Sequence, residues 1–188
     1  MREPQYRAKI THTEKTVQQL YRMQYYSYGK AQMLLRAAVG FGLVLAAVMA
    51  GFPLWARALL LLFGSWLLVS RDFPASVRAD RVLSERKAKL PGMEYRFGED
   101  AVHLTGEGSM DLPYKKFTRL AEDRDYLYLF VTRDSVCMME RTSLKPPSVE
   151  EFKKFIEEKT GLTWRREKPF LSMSIYDIRQ LLRDLKSR

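Results

Sequence analysis

Residues that could carry out nucleophilic or acid–base chemistry are few in this chain of 188 residues. The histidines are His12 and His103, too few for a histidine-rich metal centre, and Cys137 stands alone as the single cysteine. One cysteine excludes an intrachain disulfide and any cysteine-based zinc or iron–sulfur site. Ser109 follows a glycine-containing turn but lacks the strand–turn–helix context of a nucleophile elbow. We therefore predict no catalytic set, metal or cofactor, and we expect that the protein is not an enzyme.

Each of these residues has an ordinary structural interpretation. His103 lies between apolar neighbours in an alternating run, which is typical of a half-exposed strand residue. Cys137 lies in an apolar run, which favours a buried, inert thiol over a nucleophile. The acids Glu122, Asp123 and Asp125 surround an arginine, and a solvated turn accounts for them.

The elements that must position these residues begin with a long apolar stretch. Residues 33–69 contain only two charged side chains, Arg36 and Arg57, and Gly51-Phe52-Pro53 divides the stretch into two halves. Each half approaches the length needed to cross a bilayer of about 30 Å. Neither half has the polar face of a soluble helix, so we predict a two-helix transmembrane hairpin. A buried helical hairpin in a soluble protein is the alternative.

The distribution of charge predicts how this hairpin is oriented. Residues 1–36 carry seven Lys and Arg against two acids, and residues 71–90 carry six against three, within a net charge of +10. Under the positive-inside rule, both termini of a multi-pass protein of the plasma membrane are cytoplasmic. The same rule, with attraction to anionic lipid, accounts for the basic flanks, so we expect no nucleic-acid partner.

The remaining elements predict an α+β fold on the cytoplasmic side. A strand at 6–10 precedes a helix that Thr11 or Thr13 caps and that continues through about residue 28 into the first span. From residue 93 the apolar period changes to two, over short runs that end with 114–120, 126–131 and 136–139. Ser148 and Glu151 form a capping-box pattern before an amphipathic helix that ends at Gly161. This helix is expected to plug a small curled antiparallel sheet, which the strand at 6–10 is expected to join.

This order of elements resembles that of the YcxB-like bacterial membrane proteins. The matching stretches are residues 95–97, 101–104, 112–117 and 126–130, followed by the helix at 147–161, and the resemblance extends over about residues 3–160. It implies a two-helix membrane hairpin and a C-terminal domain similar to bacterial pleckstrin-homology-like (PH-like) domains. It implies no activity that could be transferred to this chain.

Five regions follow from this interpretation. They are an N-terminal strand and juxtamembrane helix (1–32), a transmembrane hairpin (33–70), a basic connecting helix (71–92), a PH-like domain (93–161) and a basic amphipathic C-terminal extension (162–188). The extension contains a helical pattern that could lie on the membrane, on its own domain or on a partner helix. Basic residues near the bilayer are expected to contact anionic lipid, namely Arg78, Arg81, Arg86, Lys87, Lys89, Arg179, Arg183 and Lys186.

The functional prediction is a membrane-tethered, non-enzymatic interaction or regulatory module. Its partners are expected to be the lipid bilayer and a protein at the membrane, with homo-oligomerisation left open. The first alternative is an accessory subunit of a transporter or another membrane assembly, in which small residues at Gly40, Gly42, Ala46 and Ala50 allow close helix packing. The second is a membrane-bound enzyme, which requires a pocket that brings His103 near Ser109, Cys137 or an acid.

Overall fold

The computed structural model describes residues 5–70, 73–85, 90, 92–106 and 108–166. Within them the predicted α+β class is confirmed. The helices are α1 (Glu14–Tyr28), α2 (Lys30–Met49), α3 (Leu54–Val69), α4 (Phe73–Glu85) and α5 (Val149–Thr160). The strands are β1 (Tyr6–Thr11), β2 (Gly92–Phe97), β3 (Ala101–Thr105), β4 (Ser109–Pro113), β5 (Arg119–Glu122), β6 (Tyr126–Phe130), β7 (Val136–Glu140) and β8 (Trp164–Arg166).

Strand β1 connects the two sheets of the domain. One sheet has the order β1-β2-β3-β4 and is antiparallel; the other has the order β7-β6-β5-β8, with β8 parallel to β5. Ala8 of β1 pairs with Tyr95 of β2. On its other side, Arg7 exchanges two backbone hydrogen bonds of 2.8 Å with Lys145, just beyond β7. The predicted pairing of the N-terminal strand is confirmed, and α1–α4 form an insertion between two adjacent strands.

Helix α5 closes the core between the two sheets. Phe152 and Ile156, four residues apart on one helix face, are fully buried. The ring of Phe152 meets Phe97 edge-on at 4.8 Å and Tyr6 at 5.2 Å. Gly161, with φ of 69°, ends the helix in the left-handed conformation that glycine adopts without strain. The predicted plugging helix is therefore present.

Helices α1 and α4 pack against each other beside the sheets. Thr13 caps α1 in a capping box with Thr16, whose side-chain oxygen accepts a 2.7 Å hydrogen bond from the Thr13 backbone N–H. Ala75 and Ala79 supply the buried face of α4. Small side chains at this i, i+4 spacing let the two helices approach closely.

Helices α2 and α3 form a hairpin that turns at residues 50–53, as predicted. They are in close contact at two glycines. A Cβ atom on Gly40 would lie 2.9 Å from the Leu68 side chain, and one on Gly64 would lie 3.0 Å from the Gly40 carbonyl oxygen. Gly42 has no atom within 4 Å of its Cβ position. Only the first of the two predicted packing glycines, Gly40, therefore serves the interface within the hairpin.

Four details differ from the sequence-based predictions. The run at 114–120 is not one strand, because a 3-10 turn (Tyr114–Lys116) buries Tyr114 and carries the chain from one sheet to the other. Ser148 precedes α5 but makes no side-chain capping hydrogen bond. Gly29 interrupts the helix that was expected to continue from α1 into α2. Strand β8 was not predicted, and the helical pattern expected within the extension lies outside the described residues.

Candidate functional site

The hairpin carries most of the large apolar side chains that the described residues expose. Leu54 is 84% exposed, Met49 76% and Leu62 71%, while Phe41 and Phe63 are each 53% exposed. Apolar patches this extensive are uncommon on monomeric soluble proteins and mark interaction surfaces. The hairpin surface therefore needs an apolar environment that the rest of the described chain does not provide.

In the described part of the chain, one helix, α2, is by itself long and apolar enough to cross a membrane. Helix α3 has 16 residues, which extend over about 24 Å at 1.5 Å per residue. It reaches a sufficient length only together with α4, from which it is bent by 62°. The predicted two-helix transmembrane hairpin is therefore not confirmed, although the helical hairpin itself is present.

The basic residues predicted to contact lipid are only partly placed. Arg78 and Arg81 are exposed on α4, which follows the hairpin. The other predicted contacts lie outside the described residues: Arg86, Lys87, Lys89, Arg179, Arg183 and Lys186. The described part of the predicted basic surface is thus a short segment of one helix.

The junction between hairpin and sheets is built around Tyr28 and Arg119. The Arg119 guanidinium donates a hydrogen bond to the Ser27 carbonyl and lies 4.6 Å from the centre of the Tyr28 ring. That ring meets Phe130 of β6 edge-on at 5.4 Å. Because α2 begins at Lys30, these contacts fix the start of the hairpin on the sheet domain. The sequence pattern did not predict this contact, because Arg119 lies far from Tyr28 along the chain.

Two cavities lie beside the sheets, and the second of them includes Arg119 of this junction. One, of about 340 Å³, lies between α1, α4 and β2 and includes His12, Gln24 and Asp134 in a largely apolar lining. The other, of about 320 Å³, lies between β5, β8 and the end of α5. Both volumes fall in the range of small-ligand sites, about 300–1,000 Å³. Of the predicted chemistry-bearing residues, only His12 lines either cavity.

The structure brings together three side chains that the sequence left apart. His103 Nδ1 lies 2.6 Å from Asp111 Oδ1, and Ser109 Oγ lies 3.1 Å from His103 Nε2. The pairing of β3 with β4 causes this, since His103 is directly opposite Asp111. The order Ser–His–Asp is that of a catalytic triad. However, the Asp111 side chain is 72% exposed, whereas the aspartate of a triad is buried, so a polar cross-strand network explains the cluster.

Cys137 is buried, and Glu122 and Asp123 of the acidic turn are paired with other side chains. Burial raises the pKa of the Cys137 thiol to about 12, as expected for an inert thiol. The turn is less solvated than predicted. Glu122 forms ion pairs with Arg141 and Lys153 while its side chain is only 15% exposed. Asp123 accepts hydrogen bonds from Tyr128 at 2.6 Å and from Gln19 of α1 at 2.8 Å.

Comparison with known proteins gives one match, which covers the sheet region. The model of the YcxB-like protein family matches residues 97–156, from the end of β2 through most of α5. This segment is narrower than the resemblance expected over residues 3–160, since it omits β1 and the hairpin. No curated protein and no solved structure matches the chain. The predicted resemblance to the YcxB-like family is confirmed over residues 97–156, and the PH-like character of the domain stays a prediction.

Proposed function

We propose that this chain is an integral membrane protein that presents a PH-like domain at the cytoplasmic face of a bacterial plasma membrane. In this proposal α2 and α3 both lie in the bilayer, and both termini are cytoplasmic. The domain acts as a non-enzymatic interaction or regulatory module. Tethering confines it to a thin layer at the membrane, which raises its effective concentration towards membrane partners.

The observation that carries this proposal is the exposed apolar surface of the hairpin. Leu54, at 84% exposed, and Trp55, at 68%, lie at the start of α3, next to the turn between the helices. In water each exposed CH₂ group costs about 0.8 kcal/mol relative to an apolar environment. A lipid bilayer supplies such an environment on all sides of the hairpin at once. Helix α3 is short for a span, and Arg57 near its start can extend towards the headgroups.

The PH-like assignment is supported by the order of the elements. Two predominantly antiparallel sheets enclose a core that a C-terminal helix closes, and the family match covers this part of the chain. The hairpin enters and leaves through α1 and α4, which pack on each other. This arrangement supports a domain held near the bilayer, with the exposed Arg78 and Arg81 available to anionic headgroups.

Cysteine accessibility in intact cells tests the topology. Single cysteines replace Gln5, Leu54 and Glu150 in a Cys137→Ser background, and all three positions are exposed in the structure. An impermeant maleimide added outside is expected to label only the cysteine at position 54. The parent without cysteine is the control for background labelling. If none of the three reacts and the protein is extracted without detergent, the membrane proposal is wrong.

The proposed pose of the domain has its own test. Neutralising Arg78 and Arg81 together should raise hydrogen exchange at the domain surface in nanodiscs that contain anionic lipid. Each residue contributes about 1 kcal/mol of attraction near such a surface. Neutral nanodiscs are the control, since no change is expected there. If the wild type and the doubly neutralised variant show equal hydrogen exchange in anionic nanodiscs, this pose is wrong.

A further inference from the structure

The sheet domain has a cavity lined by arginines, in addition to the exposed arginines of α4. The cavity of about 320 Å³ opens where β5, β8 and the end of α5 meet. Among its lining residues, two are arginines and none is acidic. They are Thr118, Arg119, Leu120, Gly161, Leu162, Thr163 and Arg165.

The strand register places both arginines on one face of the sheet. Ala121 of β5 pairs with Arg165 of β8. Side chains alternate along a strand, so Arg119, two residues before Ala121, lies on the same face as Arg165. The Arg119 guanidinium is held by the Ser27 carbonyl and the Tyr28 ring. One cation of the pair is therefore fixed in place before any ligand binds, which lowers the entropic cost of binding.

The charges around the cavity favour an anion. Helix α5 ends at Gly161, and a helix C-terminus carries about half a negative charge. The two guanidinium groups carry two full positive charges and outweigh it. Thr163 and Thr118 also line the cavity, and the Thr118 hydroxyl already donates to the carbonyl oxygens of Phe130 and Val131. Planar guanidinium groups donate paired hydrogen bonds that match the oxygen geometry of phosphate.

We propose that this cavity binds a phosphate group, carried by an anionic lipid headgroup or by a soluble phosphate compound. Tyr28 contacts Arg119 and lies just before α2, which begins at Lys30. With α2 in the bilayer, the cavity lies close to the headgroup layer. The lipid source rests on the proposed function, whereas the phosphate chemistry rests on the cavity alone.

Two arms of one experiment separate the two sources. The first arm uses native mass spectrometry of the full chain in non-ionic detergent. Phosphatidylglycerol and phosphatidylcholine are added in equal amounts, and the amount of each lipid that stays bound to the protein is measured. The second arm compares the melting temperature in sodium phosphate with that in sodium chloride at equal ionic strength, which measures the binding of soluble phosphate. A headgroup ligand gives excess phosphatidylglycerol retention, which Arg165→Gln lowers roughly fivefold. A soluble ligand gives a phosphate-dependent rise in melting temperature that Arg165→Gln removes.

The neighbouring arginine provides the matched control. Arg166 follows Arg165 on β8, so it points to the opposite face of the strand, and both residues are exposed. Arg166→Gln changes the net charge equally and should keep either response. Thr163→Glu introduces a carboxylate into the cavity and should abolish either response. The proposal is overturned if Arg165→Gln and Thr163→Glu respond as the wild type does. It is also overturned if the wild type gives no response in either arm. If the hairpin proves not to lie in a membrane, the phosphate arm still tests the cavity, because it needs no lipid.

Discussion

The hairpin and the sheet domain use the same apolar residue types in opposite ways. Phe152 of α5 is fully buried among aromatic rings, whereas Phe41 of α2 is 53% exposed. The glycines differ as well: Gly161 supplies a left-handed backbone that ends a helix, while Gly40 and Gly64 let two helices touch. The domain is thus stabilised by its own core, whereas the hairpin has close helix contact but leaves most of its large apolar side chains exposed.

The largest expected difference between the regions comes from removing one phenylalanine in each. Phe152→Ala should lower the free energy of unfolding of the domain by about 3–5 kcal/mol, because the lost ring contacts leave a cavity. Phe41→Ala is the control and should leave domain unfolding nearly unchanged. Urea unfolding in detergent micelles measures both, followed by the fluorescence of Trp164 in a background in which Trp55 and Trp66 are replaced by phenylalanine. Equal losses for the two variants would show that hairpin and domain unfold as one unit.

A second difference lies in the alkaline pH range, because the described part of the sheet domain buries a thiol and several phenols, whereas α2 and α3 contain no cysteine or tyrosine. Burial raises the pKa values of Cys137, Tyr95, Tyr114 and Tyr128. Folding holds these groups protonated, so their contribution is complete below the pKa values of the unfolded chain, and it is lost progressively as the pH rises above those values towards the raised pKa values of the folded state, which is about 12 for Cys137. From pH 8 to pH 10 we expect the free energy of unfolding to fall by about 2 kcal/mol.

Urea unfolding at several pH values tests this alkaline loss. The variant Cys137→Ala should show a smaller fall between pH 9 and pH 10, because it lacks the group that ionises first in the unfolded chain. A free energy of unfolding that stays constant to pH 10 in the parent protein would contradict the buried state of these side chains.

Sequence patterns predicted the elements that depend only on residues close together along the chain. The apolar stretch, its break at Gly51-Phe52-Pro53 and the alternation around His103 each follow from neighbouring residues, and the structure contains all three elements. The contacts at Arg119 and the Ser109–His103–Asp111 cluster depend on which strands and helices meet, so local periodicity could not predict them. The capping pattern at Ser148 matched in sequence, yet the side chain does not make the bond.

The contact between α2 and α3 gives a third test. Gly64→Ala places a methyl group 3.0 Å from the Gly40 carbonyl oxygen and the same distance from a Val44 side-chain carbon. We expect it to lower thermal stability in detergent, with a cost of about 1–2 kcal/mol from overpacking. Gly42→Ala is the matched control, since its Cβ meets open space and alanine favours helix. Equal melting temperatures for the two variants would contradict the close helix contact.

The smallest expected effect concerns the cross-strand cluster on β3 and β4. Ser109→Ala removes a 3.1 Å hydrogen bond to His103 at an exposed site, and such surface substitutions change stability by about 0.5 kcal/mol or less. A fluorophosphonate probe should not label Ser109, because neither described cavity includes it and Asp111 is too exposed to hold the histidine in place. Labelling that disappears in both Ser109→Ala and His103→Gln would instead identify a working nucleophile. In that case the sheet domain would be an enzyme, and the proposal of a non-enzymatic module would be wrong.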